Sequence, residues 1–78
     1  MLEVGKEIIR DGKTYCVLDF LRYHGKNYVL FSVEDNKIDY VFYEIVSQDE
    51  KGYNLELVTD RLIKSVLFGL FEDKEENK

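Results

Sequence analysis

The chain of 78 residues contains no tryptophan, no proline, one cysteine and one histidine. A single cysteine, Cys16, excludes an internal disulfide, and small secreted domains usually depend on such cross-links. The neighbours of Cys16 are apolar, which predicts a buried structural thiol. One histidine and one cysteine fall short of the four ligands of a structural zinc site. We therefore expect a cytoplasmic protein with no metal and no cofactor.

Long apolar stretches are missing as well. No run approaches the ~18 apolar residues that a membrane-spanning helix needs. Residues 1–10 lack the basic start and apolar core of a signal peptide. The sequence therefore predicts no association with a membrane.

Positive charge is scarce, and the formal net charge is −5. Residues 1–26 hold five basic and four acidic side chains, whereas residues 27–78 hold six basic and twelve acidic ones. This balance disfavours binding to the phosphate backbone of nucleic acids, which requires positive surface.

What the chain does contain is enough apolar material for one small core. Hydrophobic residues make up 45% of the sequence and aromatic residues 14%. We predict a single domain over residues 1–72, followed by a disordered acidic tail over residues 73–78.

A short repeat dominates the first half of the sequence: Gly-Lys-x-Tyr followed by apolar residues occurs twice. Asp11-Gly12 precedes one copy and His24-Gly25 the other. Glycine accepts a positive φ, so both dipeptides favour two-residue hairpin turns of type I′. The pattern predicts three antiparallel strands, over residues 3–10, 14–23 and 27–34.

Two further strands and a helix complete the prediction. Alternating apolar residues indicate strands over residues 39–47 and 53–58, joined by a loop over residues 48–52. Helical spacing begins after Thr59-Asp60, a good N-terminal cap, and predicts a helix over residues 60–72. Its apolar stripe comprises Leu62, Ile63, Val66, Leu67, Leu70 and Phe71. The expected fold is α+β and mostly β: a five-stranded antiparallel meander, curled into a half-barrel, with one amphipathic C-terminal helix packed on it.

This layout resembles the YrzB-like family of small acidic bacterial proteins of unknown function. The segments that resemble it are the G-K-x-Y-x-V-L start, HGKNYVLF, YVFYEIV and DEKGYNLELV, followed by the short amphipathic helix. The resemblance implies the same fold and a bacterial or phage-like setting. It implies no catalytic residues.

Three groups of residues in the sequence could suggest catalysis. Gly12-Lys13-Thr14 matches the end of a phosphate-binding loop, but Glu7 occupies the place of the first glycine and a strand follows. Cys16 and His24 lie at opposite ends of one predicted strand, roughly 25 Å apart, too far for a nucleophilic pair. Asp19 and Glu44 stand in otherwise apolar strands. They suit acid–base chemistry only if burial raises a pKa. We expect both to point outward through a gap in the helix cover, with Asp19 either meeting a cross-strand lysine or arginine or turned to water by a bulge.

The six tyrosines exceed what so small a core needs. We predict that Tyr23, Tyr28, Tyr40 and Tyr43 contribute to a binding surface, with Phe68, beside the helix stripe, as a further contact residue.

Our leading hypothesis is a non-enzymatic binding or regulatory module that acts through protein–protein contact, including homodimerisation through a sheet edge or the helix. The alternatives are a sheet that binds single-stranded nucleic acid through exposed tyrosines, and an acidic inhibitor that mimics nucleic acid.

Overall fold

Five antiparallel strands and one helix form the fold of residues 2–76, which are the residues that the computed structural model describes. The sheet order is β1-β2-β3-β4-β5, so each strand pairs with the next one in the chain. This confirms the predicted meander, curled into a half-barrel, with its C-terminal helix. The elements are β1 (Glu7–Arg10), β2 (Lys13–Tyr23), β3 (Lys26–Glu34), β4 (Ile38–Asp49), β5 (Gly52–Leu57) and α1 (Arg61–Glu76).

The two glycine turns have the predicted geometry. Asp11 and Gly12 have φ values of 53° and 76°, and His24 and Gly25 have values of 51° and 74°. Two successive positive φ angles define a type I′ turn, whose twist matches that of the flanking strands. The repeat in the sequence is therefore a repeat of turn chemistry.

The first strand is shorter than predicted, because residues 3–6 turn before β1 begins. The Gly5 amide donates to the Val17 carbonyl at 2.8 Å, and the Val17 amide donates to the Lys6 carbonyl at 2.9 Å. These bonds tie the N-terminal segment to β2 and carry Leu2 into the interior, where it is 4% exposed.

The loop between β4 and β5 is also shorter than predicted. Asp49 pairs with Gly52, which leaves a two-residue connection. The Asp49 carboxylate accepts the backbone amides of Lys51 and Gly52 at 2.8 and 3.1 Å. Hydrogen bonds from an aspartate side chain to the backbone two and three residues ahead stabilise a tight turn. The connection is therefore shorter than the five-residue loop that the polar sequence predicted.

Helix α1 begins where expected and extends further. The Asp60 carboxylate accepts the amides of Leu62 and Ile63 at 2.8 and 3.2 Å, as an N-cap does. The predicted disordered tail is wrong for residues 73–76, which are helical. One reason is that Lys74 is anchored to the sheet, and another is that lysine and glutamate are good helix formers. Residues 77 and 78 lie outside the described residues.

Each face of the sheet has its own core. On the helix side, Leu21, Tyr28, Leu30 and Phe42 pack with Leu67 of α1. On the concave side, Leu2, Val17, Val29 and Phe31 are buried. This explains why β2 and β3 are apolar on both faces.

The helix contributes a narrower stripe than predicted. Ile63, Leu67, Leu70 and Phe71 pack on the sheet. Leu62, by contrast, is 79% exposed. Val66 is exposed as well, so the inclusion of both residues in the buried stripe is wrong. Both lie about 100° or more around the helix axis from Leu67, so they point away from the sheet.

Candidate binding sites

The five predicted binding residues do not form one surface. Tyr28 is 3% exposed beneath α1, so its assignment to a binding surface is wrong. Tyr23 is half-buried, and its ring lies 4.1 Å from that of His24. Tyr43 faces the concave side. Only Tyr40 and Phe68 are exposed on the helix side.

The exposed apolar residues of the helix side gather where α1 does not cover the sheet. In this part of the sheet, two rows of paired residues run across the four strands β1 to β4. One row consists of Ile9, Thr14, Glu34 and Ile38, and the other of Glu7, Cys16, Ser32 and Tyr40. Ile9, Ile38 and Tyr40 are 78%, 62% and 55% exposed. They flank smaller side chains on β2 and β3. We call this region, bordered by Phe68, the uncovered face.

Phe68 borders the uncovered face because of its position around the helix. Leu70 and Asp73 face the opposite end of the sheet, where they line a depression together with Arg22 and Asn27. Phe68 lies about 160° around the helix from Leu70. It therefore points toward the rows that contain Tyr40, and its ring packs edge-on against Phe71 at 6.5 Å.

Two carboxylates give the uncovered face a negative character. Glu7 and Glu34 are both exposed there. Within residues 2–76, neither carboxylate lies within ion-pair distance of a basic side chain. Cys16 lies between them and is half-buried, not buried as predicted, because α1 ends its cover before this row.

The two carboxylates weighed for catalysis both pair with lysines. A bulge at Leu18 shifts the β2–β3 register and turns Asp19 toward the helix. Lys74 donates to Asp19 at 3.1 Å and to the Phe20 carbonyl at 2.9 Å. Glu44 lies 3.5 Å from Lys26 across β3 and β4. For Asp19 the expected bulge is present, but it brings the carboxylate to a lysine of α1 and not to a cross-strand basic residue or to water. The lysine beside Glu44 was not predicted.

The concave side contains a second candidate site. A cavity of about 200 Å³ opens between the two edge strands of the curled sheet, β1 and β5. We call it the tyrosine cavity; its lining residues are Ile8, Arg10, Asp11, Tyr15, Phe31, Tyr43, Tyr53 and Leu55. Phe31 forms its base, since Tyr15 and Tyr43 pack edge-on against that ring at 5.9 and 5.7 Å.

The Tyr43 hydroxyl is the most perturbed group of this cavity. Burial raises the pKa of Tyr43, and the hydrogen-bonded Tyr15 hydroxyl raises it further, while Arg10 partly opposes the rise. Desolvation disfavours the phenolate because it is charged. Tyr43 therefore remains a neutral hydrogen-bond donor at physiological pH.

A larger depression, of about 1030 Å³, lies at the end of the strands opposite the uncovered face. Its lining includes Leu21 and Leu70 from the helix side, but Phe20 and Ile45 from the concave side. It thus wraps around the end of the sheet and does not form one enclosed site.

Sequence reasoning overlooked several residues of these sites. Ile8-Ile9 did contain a signal, because consecutive residues of a strand point to opposite faces and one isoleucine must face outward. No sequence pattern indicates that Arg10 lies near Tyr15 and Tyr53, because their proximity depends on the curl of the sheet.

Comparisons with family models, with curated proteins and with solved structures each find no match for this chain. Among residues 2–76, no helix combines the length and hydrophobicity needed to span a membrane. The same residues contain no cluster of three or more His, Cys, Asp or Glu side chains suited to hold a metal ion.

Proposed function

We propose that this protein is a non-enzymatic binding module of the bacterial cytoplasm that acts through protein–protein contact at the uncovered face. The observation that supports this most directly is the exposure of Ile9, Ile38 and Tyr40 around one end of the sheet. Exposed apolar groups that cluster on one surface are typical of protein interfaces, and tyrosine is enriched among interface hot spots.

The charge of this surface indicates the chemistry of the partner. Glu7 and Glu34 lie among the apolar residues, and within residues 2–76 neither forms an ion pair. The whole chain carries a net charge of −5. A partner that presents apolar side chains flanked by lysine or arginine would complement both features. Such a partner is also what an acidic mimic of nucleic acid would bind.

The carboxylates favour binding over catalysis. Asp19 and Glu44, the two candidates for acid–base chemistry, form ion pairs with Lys74 and Lys26, so a substrate would have to compete with a lysine for either carboxylate.

The nucleic-acid alternative finds less support. It requires exposed tyrosines among basic residues on β2 and β3. In these strands Tyr28 is buried, and Tyr15 and Tyr23 are half-buried. Base stacking needs accessible aromatic faces, which these rings do not present.

Site-specific photocrosslinking in bacterial cells tests the proposal. A photoreactive phenylalanine at Tyr40 should capture a protein partner, whereas the same group at Leu57 should not. Leu57 is a matched control because it is 54% exposed, much as Tyr40 is, but lies on the concave side. Equal capture at both positions would contradict the proposal.

The single cysteine permits an independent check with the captured partner. Cys16 lies within the uncovered face, so binding should slow its reaction with a thiol reagent. An Ile38→Ser variant should weaken both the binding and the protection, while Leu62→Ser, on the far side of the helix, should leave both unchanged. Undiminished reactivity of Cys16 in the complex would place the interface elsewhere.

A further inference from the structure

The tyrosine cavity combines apolar walls with polar groups at its opening. Ile8 and Leu55 come from the two edge strands, and Phe31 lies between them at the base. Polar groups arrive from β1 and from three tyrosines. Ligand sites typically have this composition: mostly apolar walls, with a few polar groups that fix the orientation of the ligand.

Arg10 supplies the positive charge at the opening of this cavity. No ion pair or hydrogen bond joins its guanidinium to another described side chain; its electrostatic influence falls on the Tyr43 hydroxyl. Guanidinium binds carboxylate through two parallel hydrogen bonds, so an unpaired arginine at an apolar cavity suits an organic anion.

The tyrosine hydroxyls supply the complementary donors. Tyr15 and Tyr43 meet through their hydroxyls above Phe31, and Tyr53 enters from β5. A tyrosine hydroxyl is protonated at neutral pH, and burial makes ionisation of Tyr43 harder still, so this hydroxyl can donate to an anionic oxygen. Apolar ring surface below and hydroxyls above match a ligand with an apolar body and a polar head.

Size and charge narrow the class of ligand. At about 200 Å³ the cavity is smaller than the pockets that hold drug-sized molecules. Asp11 also lines it and places one negative charge beside the one positive charge of Arg10. Asp11 would repel a dianion such as a phosphate monoester about twice as strongly as a single carboxylate, and one arginine can balance only the single charge.

We infer that the tyrosine cavity binds a small organic monocarboxylate, whose carboxylate pairs with Arg10 and whose apolar body packs against Phe31, Ile8 and Leu55. The carboxylate belongs either to a simple aromatic or aliphatic acid or to a free amino acid, whose ammonium would then face Asp11. This site is separate from the uncovered face and does not depend on the proposed protein–protein contact.

The test is an NMR titration of the intact ¹⁵N-labelled chain with phenylacetate and, in parallel, with the neutral phenylacetamide. Phenylacetate should produce saturable shifts at Tyr15, Tyr43 and Tyr53, with a Kd of about 1 mM as befits so small a ligand. The amide should bind at least about tenfold more weakly, because it lacks the charge that Arg10 recognises.

Two variants of equal charge locate the site. Arg10→Gln should weaken phenylacetate binding about tenfold or more, while Arg61→Gln, on α1, should not. Both arginines are exposed, so neither change should unfold the domain, and the dispersion of the amide spectrum would verify this.

L-Phenylalanine and Asp11→Asn distinguish the two sources of the carboxylate. Asparagine accepts the positive φ of this turn position, so the hairpin should be retained. If the ligand is an amino acid, L-phenylalanine should bind more tightly than phenylacetate and lose that advantage in Asp11→Asn. If the ligand is a simple acid, phenylacetate should bind at least as well to Asp11→Asn as to the unchanged chain.

Three results would overturn the inference: shifts that do not saturate with either acid, equal binding of acid and amide, or unchanged binding in Arg10→Gln. Equal shifts with inorganic phosphate alone would also overturn it, since they would reveal a general anion contact without a role for the apolar walls.

Discussion

The two faces of one sheet are closed in different ways. On the helix side, α1 lies across the strands and leaves Leu30 and Leu67 fully buried. On the concave side no helix or further strand of the described residues 2–76 covers the sheet. The curvature of the sheet and one N-terminal residue, Leu2, enclose Val17 and Val29.

The difference shows what each kind of cover leaves behind. A helix excludes water along its contact stripe but ends abruptly, so the sheet beyond it is left exposed at Ile38 and Tyr40. The curvature of the sheet buries the middle of the concave side but leaves a cavity between the edge strands. Tyrosines line this cavity because their rings can pack against the core while their hydroxyls contact water. The uncovered face and the tyrosine cavity follow from these two kinds of closure.

Removing the helix contact should have the largest effect. Leu67→Ala should lower the free energy of unfolding by about 3 kcal/mol, because it deletes a fully buried side chain and leaves a cavity between helix and sheet. Denaturant unfolding followed by circular dichroism measures this. The control Leu62→Ala, at an exposed position of the same helix, should change stability by no more than about 0.5 kcal/mol. Equal losses would mean that α1 packs through a different stripe.

Opening the concave side should cost less. Leu2→Ala should lower the free energy of unfolding by about 2 kcal/mol, near the bottom of the range for a buried leucine, because the segment before β1 can relax. Val4→Ala is the matched control, since Val4 is 62% exposed in the same segment. A loss as large as that of Leu67→Ala would show that the two faces are equally rigid.

The contact between Lys74 and β2 joins the helix end to the sheet. Lys74→Met should cost about 1 kcal/mol, because it removes a hydrogen bond to the Phe20 carbonyl as well as the ion pair with Asp19. A double-mutant cycle with Asp19→Asn should give a coupling of about 0.5 kcal/mol that shrinks in high salt, as expected for a partly exposed pair. Lys64→Met, on the same helix, should be near neutral. A coupling of zero at low salt would mean that the ion pair adds no stability.

The smallest effect concerns the concave side alone. The pKa of Tyr43 is raised above its ordinary value of 10.0 in the folded protein, so folding favours the protonated phenol. The stability from this group should be fully present below pH 10 and be lost as the pH rises through the raised pKa. Tyrosinate absorbance across an alkaline titration should show a late component that Tyr43→Phe removes. Tyr15→Phe should move that component to lower pH, since it removes a neighbour that raises the pKa, and a shift to higher pH would contradict the assigned contact.

Much of the architecture follows from local patterns. Asp11-Gly12 and His24-Gly25 adopt the predicted turns because few other conformations suit those dipeptides, and two-residue turns force the next strand to pair with the last. The start of the helix is also local, since Asp60 caps it through amides only two and three residues away.

The candidate sites were less predictable from sequence. Tyr40 and Phe68 are exposed, as the sequence predicts for contact residues. Tyr28, predicted at a binding surface, is buried, and Leu62, predicted in the packed stripe of the helix, is exposed. Tyr28 is buried because α1 crosses the sheet above it, and Leu62 is exposed because a single layer of sheet receives only a narrow stripe of the helix. Neither fact can be derived without the position of the helix.

Turn chemistry and apolar periodicity, which act over a few neighbouring residues, were sufficient to specify the order of the strands, their antiparallel pairing and the terminal helix. The bulge at Leu18, the anchoring of Leu2 and the approach of Arg10 to Tyr43 depend on where distant segments meet in space. The sheet must curl, and the helix must stop, before those contacts exist. For that reason both candidate sites are properties of the packed molecule.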